Sequence, residues 1–332
     1  MGDGVAVLAA IAISFAVAWV FSRVARRIRF VDLPDEDLKT HTSPIPPVGG
    51  IGVFVGLHTG LIMVGRFDAG LLAATAVLLA VGLVDDRVGL SAPLRLLLEV
   101  GAGIVLGVFA DLPGPLTVQV LLAVVLVTVA ANAVNLVDGL DGLSGSTAGV
   151  AAIGLAFLSQ TRGTLGVAAA VMLAGALAGF LVLNWKPARI FLGDGGAYVV
   201  GATLAYAMLL SVPSEVAFTW GVGLPLLLLA AAMLGVIGLD LAITLTRRRT
   251  AGRPLFEGDR SHVYDQLRDR GWSVTRVVVV ASVVQAGLAA GILLVDRNLE
   301  PWPAVAVTVA AAILMVGAAA AAGFVRVDEG SG

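Results

Sequence analysis

Apolar runs of helix-spanning length recur along the whole chain, near 4–22, 48–65, 69–84, 92–110, 115–133, 146–160, 164–184, 195–212, 215–245, 273–294 and 302–325. As helices, most of these runs match the ~30 Å hydrocarbon core of a bilayer. With 58% hydrophobic and 13% charged residues over 332 positions, little remains to build a water-facing surface. The expected fold is an all-α polytopic integral membrane protein, one transmembrane domain over 1–332. It has eleven spans, or ten if one of the two short runs, 69–84 or 146–160, does not cross.

Charge sets the orientation. The N-terminus lacks a basic segment before its first apolar run, and the cluster Arg23, Arg26, Arg27 and Arg29 follows that run. This pattern predicts a retained first helix with the N-terminus outside. Of the 21 lysines and arginines, only Arg66, Arg162 and Arg297 then fall on the outer face. The positive-inside rule is met, and an odd span count puts the C-terminus in the cytoplasm. A multi-pass protein of the plasma (inner) membrane is expected, with cytoplasmic loops near 23–47, 85–91, 134–145, 185–194 and 246–272. The charge pattern gives no reason to expect a nucleic-acid partner, and a homodimer is compatible with it.

Every polar motif lands on that cytoplasmic face. The densest is Asn132 to Leu143, with Asn135, Asp138 and Asp141 on one helical stripe at roughly 100° per residue. Gly139 and Gly142 predict that the helix fails there, leaving backbone groups beside the carboxylates. The others are Lys39 to Gly50, the pair Asp85-Asp86 ending the third run, Phe191 to Gly196, and the segment Arg247 to Trp272. Arg247–Arg249 read as a topology signal. The run 215–245 is too long for a straight crossing, and Gly221, Gly223, Pro225, Gly235 and Gly238 offer places to break it. A broken helix would leave a groove in the bilayer, a route for a lipid tail.

Five acids, Asp85, Asp86, Asp138, Asp141 and Asp194, therefore meet at the inner headgroup level. Such a cluster repels anions unless a divalent cation sits among it. Hard oxygen ligands, an absence of cysteine and only three histidines favour Mg²⁺, or Mn²⁺, over zinc. Asp194 is the best single ligand, because its flanking glycines, Gly195 among them, let a phosphate approach the backbone at a helix start. Asp85 and Asp86 point about 100° apart on a helix. One is expected near the metal or attacking oxygen, the other structural or paired with a cation such as Lys39. Arg253, Arg260 and His262 are candidates to grip phosphate oxygens. A transporter or lipid flippase is the rival reading. It would need ionisable groups near the bilayer midplane, for which Glu99 is the main candidate.

These motifs, in this order and membrane placement, resemble the polyprenyl-phosphate N-acetylhexosamine-1-phosphate transferases over nearly the whole chain. The matching stretches are Lys39 to Gly50, Gly82 to Asp86, Asn132 to Leu143, Phe191 to Gly196 and Asp240 to His262. The resemblance implies that a membrane polyprenyl phosphate attacks the β-phosphorus of a UDP-sugar, giving a polyprenyl-diphospho-sugar and UMP. It implies Asp194 and Asn135 as the Mg²⁺ site, and Asp85 and Asp86 as the acids nearest the attacking phosphate. Asp141 would meet the uracil edge and Phe191 its face. Asn132, Asp138, Gly195, Lys39, Arg260 and His262 complete the implied substrate contacts. The loop Gly258 to Leu267 is closer to the GlcNAc-1-phosphate branch than to the phospho-MurNAc-pentapeptide branch. The GlcNAc-1-phosphate branch usually has further histidines where Tyr264 and Asp265 stand, so phospho-MurNAc-pentapeptide and other UDP-N-acetylsugars stay open as donors.

Overall fold

Helices form along the apolar runs, because a chain with few polar side chains must satisfy its backbone groups within itself. The computed structural model describes residues 3–33, 43–112, 114–162, 164–217, 219–250, 252 and 262–324. In order, the helices are α1 (Asp3–Arg27), α2 (Gly49–Met63), α3 (Ala69–Val88), α4 (Ala92–Phe109), α5 (Leu116–Val137), α6 (Leu143–Arg162) and α7 (Gly166–Asn184). There follow α8 (Gly193–Leu210), α9 (Gly223–Ala232), α10 (Val236–Thr250), α11 (Val263–Asp269), α12 (Val274–Asn298) and α13 (Pro301–Ala321). Among the described residues the one β-type pairing is the Asp32–Ile45 bridge in the α1–α2 connection.

Among the described residues, eight helices are long and apolar enough to cross a membrane, nine if α9 and α10 count as one bent span. The two shortest runs both lengthen, to α3 and α6. The difference from eleven comes from two other elements: α2 has only 15 residues, and α8 opens on the polar stretch Gly193-Asp194-Gly195-Gly196.

α8 is the centre of the bundle, with every residue but Asp194 buried. Small residues let its neighbours close onto its backbone. A Cβ on Gly82 of α3 would lie 2.0 Å from the Gly195 nitrogen, and one on Gly201 would lie 2.4 Å from the Ala131 nitrogen of α5. A Cβ on Gly50 of α2 would lie 2.3 Å from Gly196 Cα. Small-residue contacts of this kind are how helices pack where lipid removes the hydrophobic incentive. They bring the end of α3, the end of α5 and the start of α8 side by side. At the opposite end, Arg162 of α6 and Asp296 of α12 form a buried ion pair of 2.7 Å. Arg162 also donates to the Ser211 and Leu226 carbonyls at 3.3 and 3.1 Å.

The long run after residue 215 is broken, as its glycines predict. α9 and α10 meet at 86°, with Gly235 at φ +47°. The fully buried Gln285 of α12 satisfies the break: its amide donates to the Met233 carbonyl at 2.9 Å and accepts from Val236 N at 2.8 Å. Beside the break lies an apolar groove of about 570 Å³ between α9, α10, α12 and α13. A smaller pocket of about 210 Å³ shares Leu239 and Met315 with it and reaches Val137 and Tyr264, at the end of α5.

Candidate active site

α3 carries Asp85 and Asp86 on its last turn, and the two side chains part as helical geometry requires. Asp85 is buried and structurally engaged. Its Oδ1 accepts from Leu90 N at 2.6 Å, closing the turn at Gly89. Its Oδ2 meets Arg95 Nη1 of α4 at 3.3 Å and the Tyr198 hydroxyl of α8 at 3.4 Å. The cation beside this pair is Arg95; Lys39 lies outside the described residues. Asp86 turns toward α8, where Asp194 N donates to its Oδ1 at 3.4 Å. Its Oδ2 is buried with no hydrogen-bond partner. Gly193, at φ +74°, is the residue facing that oxygen: a Cβ there would stand 2.7 Å from it and 2.4 Å from the Pro47 carbonyl.

α5 supplies the other wall. The helix ends at Val137 with Asp138 as its C-cap, and Gly142 at φ +79° completes the turn into α6. Asn135 donates its side-chain amide to Asp194 Oδ1 at 2.6 Å. Asp138 accepts from the Ser144 hydroxyl and from Gly193 N. Burial, with the Asp194 and Asp141 charges nearby, pushes the Asp138 carboxyl up from 3.8 to about 8; its hydrogen bonds oppose that rise.

The remaining expected contacts divide. Asp141 sits past the end of the helix rather than on its stripe. Its Oδ2 holds the 185–190 connection, meeting Lys186 Nζ at 3.2 Å and Ala188 N at 3.1 Å. Phe191 ties α2 to the start of α8 through its backbone, receiving from Gly49 N at 2.9 Å and donating to the Pro46 carbonyl at 3.0 Å. Gly195 is the close-packing point against α3. Asn132 donates to Glu99 Oε2 and to the Thr128 carbonyl, so the deep acid Glu99 has a partner and does not stand as a lone midplane charge. His262 is buried and its Nδ1 lies 2.8 Å from Asp240 Oδ2. Lys39, Arg253 and Arg260 lie outside the described residues.

Asp85, Asp86, Asp138 and Asp194 thus form one electrostatically linked group, with the Arg95 guanidinium on its Asp85 side. Among the described residues no three His, Cys, Asp or Glu side chains form a ready-made metal cage. Mg²⁺ does not require one, since it takes one or two carboxylates and fills its shell with water and substrate phosphate. The orphaned Asp86 Oδ2, the adjacent Asp194 carboxylate and the hard-oxygen donor set fit such an ion.

Comparison with known proteins bears on this geometry. Residues 69–212, from α3 through α8, match the family model for glycosyl transferase family 4. The chain is 30% identical over 319 residues to the decaprenyl-phosphate N-acetylglucosaminephosphotransferase of Mycobacterium tuberculosis, covering 83% of this chain and 79% of that protein. The chain belongs to glycosyl transferase family 4. It is also 27% identical to a probable undecaprenyl-phosphate N-acetylglucosaminyl 1-phosphate transferase of Bacillus subtilis, over 80% of this chain and 77% of that one. The undecaprenyl-phosphate alpha-N-acetylglucosaminyl 1-phosphate transferase of Escherichia coli is 28% identical over the same shares. The protein is a membrane transferase of this family, and the matched region contains Asp85, Asp86, Asn135, Asp138 and Asp194.

Several partnerships around this transferase site escaped the sequence reading. Arg95 gives no signal beyond its charge, because its pairing with Asp85 depends on α4 folding back along α3. Asp240 carries the last loop: it accepts from His262 Nδ1 and, at 3.1 Å, from Val263 N. Tyr264 stacks on His262 with ring centroids 5.3 Å apart, and its hydroxyl donates to the Leu136 carbonyl at 3.1 Å. Tyr264 therefore anchors α11 on the end of α5. Arg247 and Arg248 are buried at 2% and 4% exposure. The basic run gives no local sign of this burial.

Proposed function

We propose that this family 4 transferase moves N-acetylglucosamine-1-phosphate from UDP-GlcNAc to a membrane polyprenyl phosphate, at the cytoplasmic face of the plasma membrane, initiating a cell-envelope glycan. The observation that carries the reading is the carboxylate group at one end of a membrane bundle, with Asp86 Oδ2 buried and unpartnered beside Asp194. The activities for which the three relatives are named support it.

The acceptor is a phosphate monoester with a second pKa of ~6, already largely dianionic at neutral pH. It needs positioning more than deprotonation. One acceptor oxygen forms a bond to the β-phosphorus of the donor, the bond from that phosphorus to the bridging oxygen breaks, and UMP leaves with that oxygen. Atoms and charge balance without a covalent enzyme intermediate. Asp194, with Asn135 and Asp86, would hold Mg²⁺, which when bound neutralises diphosphate charge. Asp85 fixes Arg95 on the flank of the site, where its guanidinium offsets phosphate charge. Asp138 and Ser144 hold the start of α6 against Gly193. The groove beside the α9–α10 break suits the prenyl tail, since its walls are apolar and its extension reaches the end of α5.

Purified protein incubated with polyprenyl phosphate and a panel of UDP-sugars, with the lipid product read by mass spectrometry, tests this directly. A polyprenyl-diphospho-N-acetylglucosamine product is expected. A lipid product from another UDP-N-acetylsugar alone overturns the donor; no lipid-linked product overturns the reaction.

A further inference from the structure

Four arginines meet at the carboxylate end of the bundle without taking part in the carboxylate group. Arg26 lies in the last turn of α1, Arg29 just beyond it, Arg87 in the last turn of α3, and Arg189 in the connection before α8. All four line one open cleft of about 770 Å³. Their segments are locked to each other. Arg26 Nη2 donates to the Arg189 carbonyl at 2.8 Å, and Arg87 Nη1 to the Arg29 carbonyl at 3.4 Å. Among the described residues Arg29 is the one non-glycine with a positive φ, 57°. A bulky side chain avoids that region unless the surroundings impose it. None of the four arginines has an ion-pair partner among the described residues.

The positive-inside rule accounts for arginines at this end of the molecule. It does not account for four of them converging on one cleft, which costs mutual repulsion unless an anion offsets it. Guanidinium groups match phosphate oxygens in geometry and charge. The helix ends that carry these arginines indicate where that phosphate comes from. Ile28, Val84 and Val88 stand 65%, 50% and 66% exposed on the same helix ends, apolar surface beside cationic surface. Earlier on α1, Arg23 stacks over Trp19 at 3.5 Å, a pairing suited to the membrane–water boundary.

We propose that the Arg26–Arg29–Arg87–Arg189 cleft binds the headgroup phosphate of an anionic membrane phospholipid, at a site separate from the reacting carboxylates. The phospholipid does not react; it neutralises the arginines and fixes the α1, α3 and 185–192 segments around the mouth of the site.

The test uses the full-length protein in nanodiscs of equal phosphatidylglycerol and phosphatidylcholine, with retained lipid measured by native mass spectrometry after detergent extraction. Wild type is expected to retain phosphatidylglycerol preferentially; equal retention of the two lipids overturns the site. Arg29→Gly removes one guanidinium while keeping the left-handed backbone that glycine adopts freely, and Arg189→Gln removes another without touching the carbonyl that Arg26 uses. Each is expected to weaken phosphatidylglycerol retention at least about tenfold, with the KM for UDP-GlcNAc within about twofold of wild type. Arg66→Gln, at the far end of α2, serves as the control and should retain the lipid. Unchanged retention in both cleft variants overturns the proposal. A raised KM for UDP-GlcNAc or for polyprenyl phosphate with lipid retention intact also overturns it, assigning the cleft to the nucleotide or the acceptor.

Discussion

Asn135 in the last turn of α5 and Asp194 in the first turn of α8 are joined by a 2.6 Å hydrogen bond at the carboxylate end of the bundle. One turn earlier on α5, Asn132 makes the equivalent reach to Glu99 on α4. The two amides on one face of α5 thus connect the carboxylate-bearing start of α8 to the buried Glu99 of α4.

The first consequence concerns the metal. Asp194→Asn keeps the size of the side chain and loses the charge that would offset a cation. Turnover is expected to fall at least about a hundredfold, with membrane insertion and thermal stability close to wild type. Asn135→Ala, which leaves the carboxylate but frees its orientation, is expected to cost roughly 10- to 100-fold, mostly recovered at high Mg²⁺. A Mg²⁺ titration of initial rate for the three proteins checks both. Wild-type rates for Asp194→Asn at limiting Mg²⁺ would remove it from the metal site.

Glu99 provides a separate test of how the site is held. Glu99→Gln keeps an oxygen for the Asn132 amide, whereas Glu99→Leu leaves that amide with only the Thr128 carbonyl. The leucine variant is expected to lose about 1–3 kcal/mol of stability and the glutamine variant much less. Thermal unfolding in detergent distinguishes them. Equal melting temperatures would mean that the Glu99–Asn132 contact does not hold α4 to α5.

Asp240 and His262 should behave as a unit, because the same carboxylate receives the ring nitrogen and the next backbone amide. Each of Asp240→Asn and His262→Ala is expected to lower kcat/KM by about tenfold, where a factor of ten corresponds to about 1.4 kcal/mol. The double variant should lose little more than either single one, as coupled residues do. Fully additive losses in a double-mutant cycle would show that His262 acts independently of its partner.

Protons report on Asp138. Its folded carboxyl titrates near 8, above its ordinary value of 3.8. A carboxyl with a raised folded value contributes stability that is complete below the ordinary value and is lost as pH rises through the folded one. In metal-free buffer the melting temperature should therefore decline from about pH 4 to about pH 8, and Asp138→Asn should flatten that decline. Added Mg²⁺ should stabilise the wild type more at pH 8 than at pH 5. A melting curve in chelator that rises with pH over this interval, and is unaltered by Asp138→Asn, contradicts the assignment.

Membrane architecture was legible in the amino-acid sequence, because bilayer thickness demands a run of apolar residues that few other folds need. The failure of α5 near Gly139, the break after residue 215 and the gathering of polar motifs at one end were legible for the same local reasons: glycine, helix length and charge. Partnerships were not. Nothing local to Asp85 says that it closes its own helix and takes Arg95 while Asp86 faces Asp194; that follows from the contact of Gly82 with the backbone of α8. Nothing local to Arg247 and Arg248 says that they are buried, and a basic run reads as a topology signal until its surroundings are known. Local sequence determines which helices form and which of their ends are polar. Only tertiary packing decides which polar groups meet, because hydrogen bonds and ion pairs act over about 3 Å between residues as far apart in the chain as Arg26 and Arg189, 163 positions.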